Sequence, residues 1–193
     1  MNKQVWIEKA IGLGIQEFEI YQSTTVEKEM TWFQGQMDTL VSSKVTGTSI
    51  RGIVDGKMAN MALEEIDDSM CETVLKSLIE QAHIISNEET DSLRKPEPIE
   101  YVKKDVTWNM ASTEYVKNIL QSLEAKILAY DPRVIQVGYL GYSQGSGSRS
   151  IVNSLGMDVQ DADEMQYIVA SVVVKEEEEV KDASLVEVVY DFE

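Results

Sequence analysis

From Gly47 to Leu63 the chain reads Gly-Thr-Ser-Ile-Arg-Gly-Ile-Val-Asp-Gly-Lys-Met-Ala-Asn-Met-Ala-Leu. Two strand-like runs meet at Asp55-Gly56, a dipeptide that tolerates positive φ at both central positions of a two-residue hairpin turn. Val, Thr, Ser and Ile dominate from Thr39 to Met61, and no proline interrupts the ladder. Antiparallel strands are therefore predicted there. This constrains the scaffold, not a reaction.

The flanking segments extend the pattern. Asn2 is placed to cap a helix carrying Val5, Trp6, Lys9, Ala10 and Leu13 on one side, with Gly12 and Gly14 ending it. Phe18, Ile20, Val26, Met30 and Trp32 then fall at near-alternate positions, as in a half-buried strand, and a turn is predicted over Gln34–Asp38. After Asp67, Asp68 and Ser69 the period becomes helical, through Ile66, Met70, Val74, Leu78, Ala82 and Ile85. Pro96, Pro98 and the Glu88-Glu89 pair make Ser86 to Asp105 an exposed connection in this reading. Ser112 caps a second long helix with Val116, Ile119, Leu120, Leu123 and Ile127 as its stripe, stopped at Asp131-Pro132. Four strands are predicted after it: Arg133 to Tyr142, Gly147 to Asn153, Met165 to Lys175 and Ser184 to Phe192.

An α+β fold accounts for this order, with a large, mostly antiparallel sheet covered on one face by the long helices. It reads as a single domain over residues 1–193. A possible subdivision into 1–90 and 106–193 gives two helix-plus-strands halves joined by a loop at 86–105.

Composition narrows the function class. The chain has 193 residues, 34 acidic against 17 basic side chains and a formal charge of −17. Such a field repels nucleic-acid phosphates and anionic lipid, so neither is an expected partner. One cysteine excludes an intrachain disulfide, the first residues lack the apolar core of a secretory signal, and no apolar run reaches membrane-spanning length. The expectation is a soluble, cytoplasmic protein.

No catalytic centre assembles from the residues alone. His83 sits near a helix end without a second ligand at a coordinating offset, and Cys71 opens the same helix without a histidine partner. A helix-terminal histidine and a packed thiol are the preferred readings, although a thiol enzyme using Cys71 stays open. Arg51 has the planar fork to hold a carboxylate or phosphate, against an ordinary ion pair on a strand. Glu176 to Glu179 reads as a solvated hairpin tip rather than a cation site, because successive side chains diverge. Gly141 to Gly147 lacks the Gly-Lys-Thr/Ser of a phosphate loop and reads as a flexible hairpin connection. Trp6, Trp32 and Trp108, with Met58, Met61 and Met70, are spaced as packing residues.

Five elements taken in order resemble the amino-terminal region of the TldD/PmbA family, metallopeptidase-like proteins also called modulators of DNA gyrase. They are Glu17-Phe18-Glu19-Ile20-Tyr21, the Gly47 to Lys57 hairpin, Glu80-Gln81-Ala82, Asp131-Pro132-Arg133-Val134, and Ile151-Val152-Asn153-Ser154-Leu155-Gly156. The Asp-Pro-Arg and Asn-Ser-x-Gly elements look closer to the PmbA branch. In the hairpin, Thr48-Ser49-Ile50 stands where many relatives resemble Leu-Gly-x before the arginine. Catalytic members are similar in carrying a His-Glu-x-x-x-His zinc motif in a second half, which this chain does not contain.

The resemblance therefore implies a non-catalytic domain with no metal or cofactor of its own, zinc belonging to the family's catalytic subunit. It implies oligomers, either homomeric or with a TldD-type subunit, and a peptide substrate in the assembly. Its motif positions Arg51, Asp55, Gly56, Asp131, Arg133, Asn153, Ser154 and Gly156 are expected to be structural. The rival expectation is a stand-alone acidic binding or adaptor module for a basic partner, with no peptidase role.

Overall fold

The computed structural model describes residues 1–64, 66–86, 90–97 and 111–189. In chain order these form α1 (Lys3–Gly12), β1 (Glu17–Phe33), β2 (Gln36–Val54), β3 (Lys57–Leu63), a 3-10 turn (Asp68–Met70), α2 (Cys71–Ile84), α3 (Thr113–Tyr130), β4 (Val134–Asn153), β5 (Asp158–Glu176) and β6 (Glu179–Val188). The strands build one sheet in the order β3-β2-β1-β4-β5-β6. Each half is thus a meander, and the α+β architecture is as the hydrophobic periods predict.

Contacts group the residues into two compact units. One comprises Met1–Thr24, Val45–Val106 and Ser148–Ala162, and the other Thr25–Lys44, Thr107–Gly147 and Asp163–Glu193.

In the first unit, Asn2 caps α1 by accepting a hydrogen bond from the Val5 N–H, and Gly14, at φ +92°, follows its end. The buried face of α1 is Trp6, Ile7 and Ala10 rather than the wider stripe predicted, because Val5, Lys9 and Leu13 lie toward the rim. Asp67 caps the 3-10 turn through the Ser69 N–H, and α2 buries Cys71, Val74, Leu75, Leu78 and Ala82. Met70, expected on that stripe, is 40% exposed since it belongs to the preceding turn. These faces pack on Phe18 and Ile20 of β1 and on Ile50 and Val54 of β2. Gly52 lies between the last two: a Cβ there would stand 2.9 Å from Leu78 Cδ2 and 3.0 Å from Ile15 Cγ2. Only a bare backbone admits α2 this close.

The β2–β3 hairpin is as its sequence predicts, with Val54 paired to Lys57 and Asp55 and Gly56 at φ +48° and +73°. The described part of the connection after α2 is irregular and mostly exposed, as expected, but it is tied down at particular points. Asp91 N–H donates to the Gly56 carbonyl, the Asp91 carboxylate accepts from Met58 N–H, and Leu93 is buried, its N–H on the Glu17 carboxylate at 2.6 Å. Residues 90–97 are irregular but bound to the unit, because their backbone groups find fixed partners there. Trp108 and the remainder of the connection from 98 to 105 lie outside the described residues.

In the second unit, Ser112 caps α3, whose Val116 and Leu120 pack with Met30 and Trp32 of β1 and with Val137, Leu140 and Tyr142 of β4. Glu124 completes that face as a buried carboxylate, accepting from Trp32 Nε1 at 2.7 Å and from Gly35 N–H at 2.9 Å. The predicted turn over Gln34–Asp38 contracts to Gln34-Gly35, at φ +50° and +78°, and β2 starts at Gln36. The predicted connection at Gly141 to Gly147 and the break it implied are incorrect, since β4 runs unbroken through them. A Cβ on Gly141 would stand 2.6 Å from the Tyr139 hydroxyl, so this glycine gives room to a neighbouring ring instead of a turn. Glu176 and Glu179 do pair across the β5–β6 hairpin tip. Phe192 lies outside the described residues.

Candidate functional site

Within the first unit, side chains of β1 and β2 that point away from the helices meet in a polar cluster. Glu19, only 4% exposed in its side chain, accepts from Arg51 Nε at 2.7 Å. That contact sets Glu19 opposite Arg51, and hydrogen bonds from Gln22 to Thr48 and between Thr24 and Thr46 continue the same register. The register places Tyr21 opposite Ser49. Asn153, at the end of β4, donates Nδ2 to the second Glu19 oxygen at 3.2 Å and to the Arg94 carbonyl at 3.0 Å. Its Oδ1 accepts from Leu155 and Met157 N–H, both at 3.0 Å. A buried carboxylate is thus neutralised and hydrogen-bonded on both oxygens, the condition under which burial is tolerated.

A cavity of about 260 Å³ opens beside this cluster, lined by Glu19, Tyr21, Ser49, Arg51 and Ile151. Arg51 is 43% exposed and commits only Nε to Glu19.

The other singled-out positions are distributed through the two units. Ser154 receives Phe18 N–H on its hydroxyl at 2.9 Å and returns its own N–H to the Phe18 carbonyl at 2.8 Å. Gly156, at φ +94°, closes the turn from β4 to β5. Asp55 does not join Arg51; it lies 3.6 Å from His83 Nε2, at the end of α2. In the second unit Asp131 and Arg133 form a two-oxygen pair, with Arg133 also 3.4 Å from Glu176. Hydrogen bonds from Arg133 hold the Asp131 carboxyl down at about 2, and the same contacts raise the guanidinium pKa. Sequence reasoning quoted Glu19 and Tyr21 inside a motif but did not single them out, because a charge on a strand reads as solvent-facing until its cross-strand partner is known.

The described residues do not fit a catalytic zinc. The chain's one histidine faces a lone exposed carboxylate, and burial pushes the Cys71 thiol pKa up, away from the thiolate a metal takes. Among the described residues no three His, Cys, Asp or Glu side chains gather closely enough to hold an ion. No helix among the described residues is long and apolar enough to cross a membrane.

Two family models match in tandem: PmbA/TldA metallopeptidase domain 1 over residues 18–86, and the PmbA/TldA metallopeptidase central domain over residues 107–192. The chain belongs to the PmbA/TldD family. Solved structures agree on the fold. TldE from Thermococcus kodakarensis matches with a TM-score of 0.81 at 18% identity, over 98% of this chain and 43% of its own. A protein described as a modulator of DNA gyrase from Thermotoga maritima matches at 0.77 and 17% identity, over 96% and 42%. One so described from Bacteroides thetaiotaomicron matches at 0.71 and 18%, over 96% and 43%. The chain thus spans less than half the length of these solved structures. No curated protein matches it significantly.

Proposed function

We propose that this chain is the non-catalytic amino-terminal region of a cytoplasmic PmbA/TldD-type protein, closer to the PmbA branch, and that it frames a peptide-processing chamber and pairs subunits. The observation that carries this reading is the tandem match to domain 1 and the central domain, in a chain with a single histidine whose described residues gather no zinc site. Zinc and bond cleavage then belong to a TldD-type catalytic subunit. This chain contributes surface: β6 is exposed along its whole length at the sheet edge, and such an edge offers backbone groups to an extended peptide or a partner strand.

The test is size-exclusion with a TldD-type subunit, followed by peptide turnover. A stable complex that cleaves peptide better than the catalytic subunit alone supports the reading; no complex at micromolar concentration, or cleavage by this chain alone, refutes it. The formal charge of −17 favours a second reading, an acidic adaptor for a basic partner. Capture of a basic partner that weakens steeply with salt, without any effect on proteolysis, selects that reading instead.

A further inference from the structure

The geometry points to the cavity beside Arg51 as a binding site for a carboxylate group, which Arg51, Tyr21 and Ser49 hold together. The Arg51 guanidinium is fixed by a single bond, Nε to Glu19 at 2.7 Å. Among the described residues its two Nη atoms, the Tyr21 hydroxyl and the Ser49 hydroxyl have no hydrogen-bond partner. All three side chains line the same volume of about 260 Å³, with Ile151 as the apolar wall. The free edge of a guanidinium is a planar two-donor fork, and its matching acceptor is a carboxylate.

The rest of the cluster prepares that fork. Glu19 is held by Arg51 on one oxygen and by Asn153 on the other, and Asn153 is held by four hydrogen bonds in all. The Nε–H bond to a carboxylate that is itself held in place restrains the guanidinium before a ligand arrives, which lowers the ordering cost of binding. Glu19 already balances the Arg51 charge, so the site attracts a carboxylate by directed donors rather than by net charge. The protein's overall negative field opposes any anion. A carboxylate carried on a basic or neutral peptide is accordingly favoured over a polyacidic one.

Two sources present this group, a chain terminus and an Asp or Glu side chain, and the experiment separates them. Three probes are titrated into the 15N-labelled chain at moderate salt: N-acetyl-alanine, N-acetyl-aspartate with its α-carboxyl amidated, and N-acetyl-alanine amide. Saturable shifts at the Tyr21, Ser49 and Arg51 resonances are expected with one or both carboxylates, and none with the amide. The carboxylate that binds tighter identifies the source.

Arg51→Lys keeps a cation on Glu19 but removes the fork, and is expected to abolish saturation. Tyr21→Phe and Ser49→Ala leave the Glu19–Arg51–Asn153 cluster untouched, and each is expected to weaken binding about tenfold, the loss of one hydrogen bond to a charged group. Equal shifts with the amide, no saturation by any carboxylate, or full affinity in both hydroxyl variants overturns the assignment. The reading of the chain as a family framework domain does not depend on this outcome, because complex formation and turnover test it separately.

Discussion

Gly52→Ala tests the close seating of α2 on the sheet. The added methyl would sit 2.9 Å from Leu78 Cδ2 and 3.0 Å from Ile15 Cγ2, against ordinary contacts of about 3.4 to 4 Å. Leu78 and Ile15 are both essentially unexposed, so neither can swing into water. Overpacking of this kind costs about 1 to 3 kcal/mol. Leu78→Ala alone leaves a cavity in the same place and costs about 2 to 5 kcal/mol. Combined, the alanine methyl at 52 enters space that Leu78 Cδ2 vacates, whereas the Ile15 contact remains. The double variant should therefore be more stable than the two single losses predict, by about 0.5 to 2 kcal/mol. Urea unfolding of all four proteins, with unchanged m-values as the check on comparability, measures the cycle. Additive losses, or a stability of G52A equal to that of the parent, would refute the packing argument.

Other consequences follow from the same contacts. Glu124→Ala leaves the buried Trp32 indole N–H and the Gly35 N–H without their acceptor, and should cost about 2 to 4 kcal/mol in urea unfolding, while Glu124→Gln recovers part of the loss. Asp131 titrates at about 2 when folded against an ordinary 3.8, so its contribution is intact above pH 4 and is lost as pH falls toward 2. Asp131→Asn should flatten that acid limb of a Tm–pH profile. Lys28 gives a slope of the same sign at alkaline pH from a different cause: burial lowers its pKa below 10.5, so the unfolded chain holds the proton longer and stability rises as pH climbs toward 10.5, a rise that Lys28→Met should remove. Buried Cys71 should react with a thiol reagent only as fast as the first unit opens, and Cys71→Ala should leave peptide processing intact.

Local signals in the chain were sufficient for most elements, and topology was needed for the rest. Asp55-Gly56 specifies its own turn, and Asn2, Asp67 and Ser112 mark helix starts because a cap acts within three residues. Gly141, Gly145 and Gly147 misled, since glycine signals a turn by backbone freedom and a strand by the room it gives neighbours, and only the Tyr139 ring over Gly141 distinguishes the two. Leu93 was hidden for a related reason: nothing in a Pro-flanked segment announces that Glu17, 76 positions earlier, will bind its N–H. The candidate site was half legible. Arg51 and Asn153 stood out by resemblance, but the buried Glu19 that joins them across 32 and 134 positions appears only when β1 lies between β2 and β4.

Purified chain, zinc-loaded and desalted, should be compared with the same chain plus a subunit bearing the His-Glu-x-x-x-His motif, with bound zinc and peptide cleavage read in parallel. The expected result is no stoichiometric zinc and no turnover for the chain alone, with chelator-sensitive cleavage only when the second subunit is present. One tightly held zinc per chain with peptide cleavage by the isolated chain would contradict the assignment of a framework role.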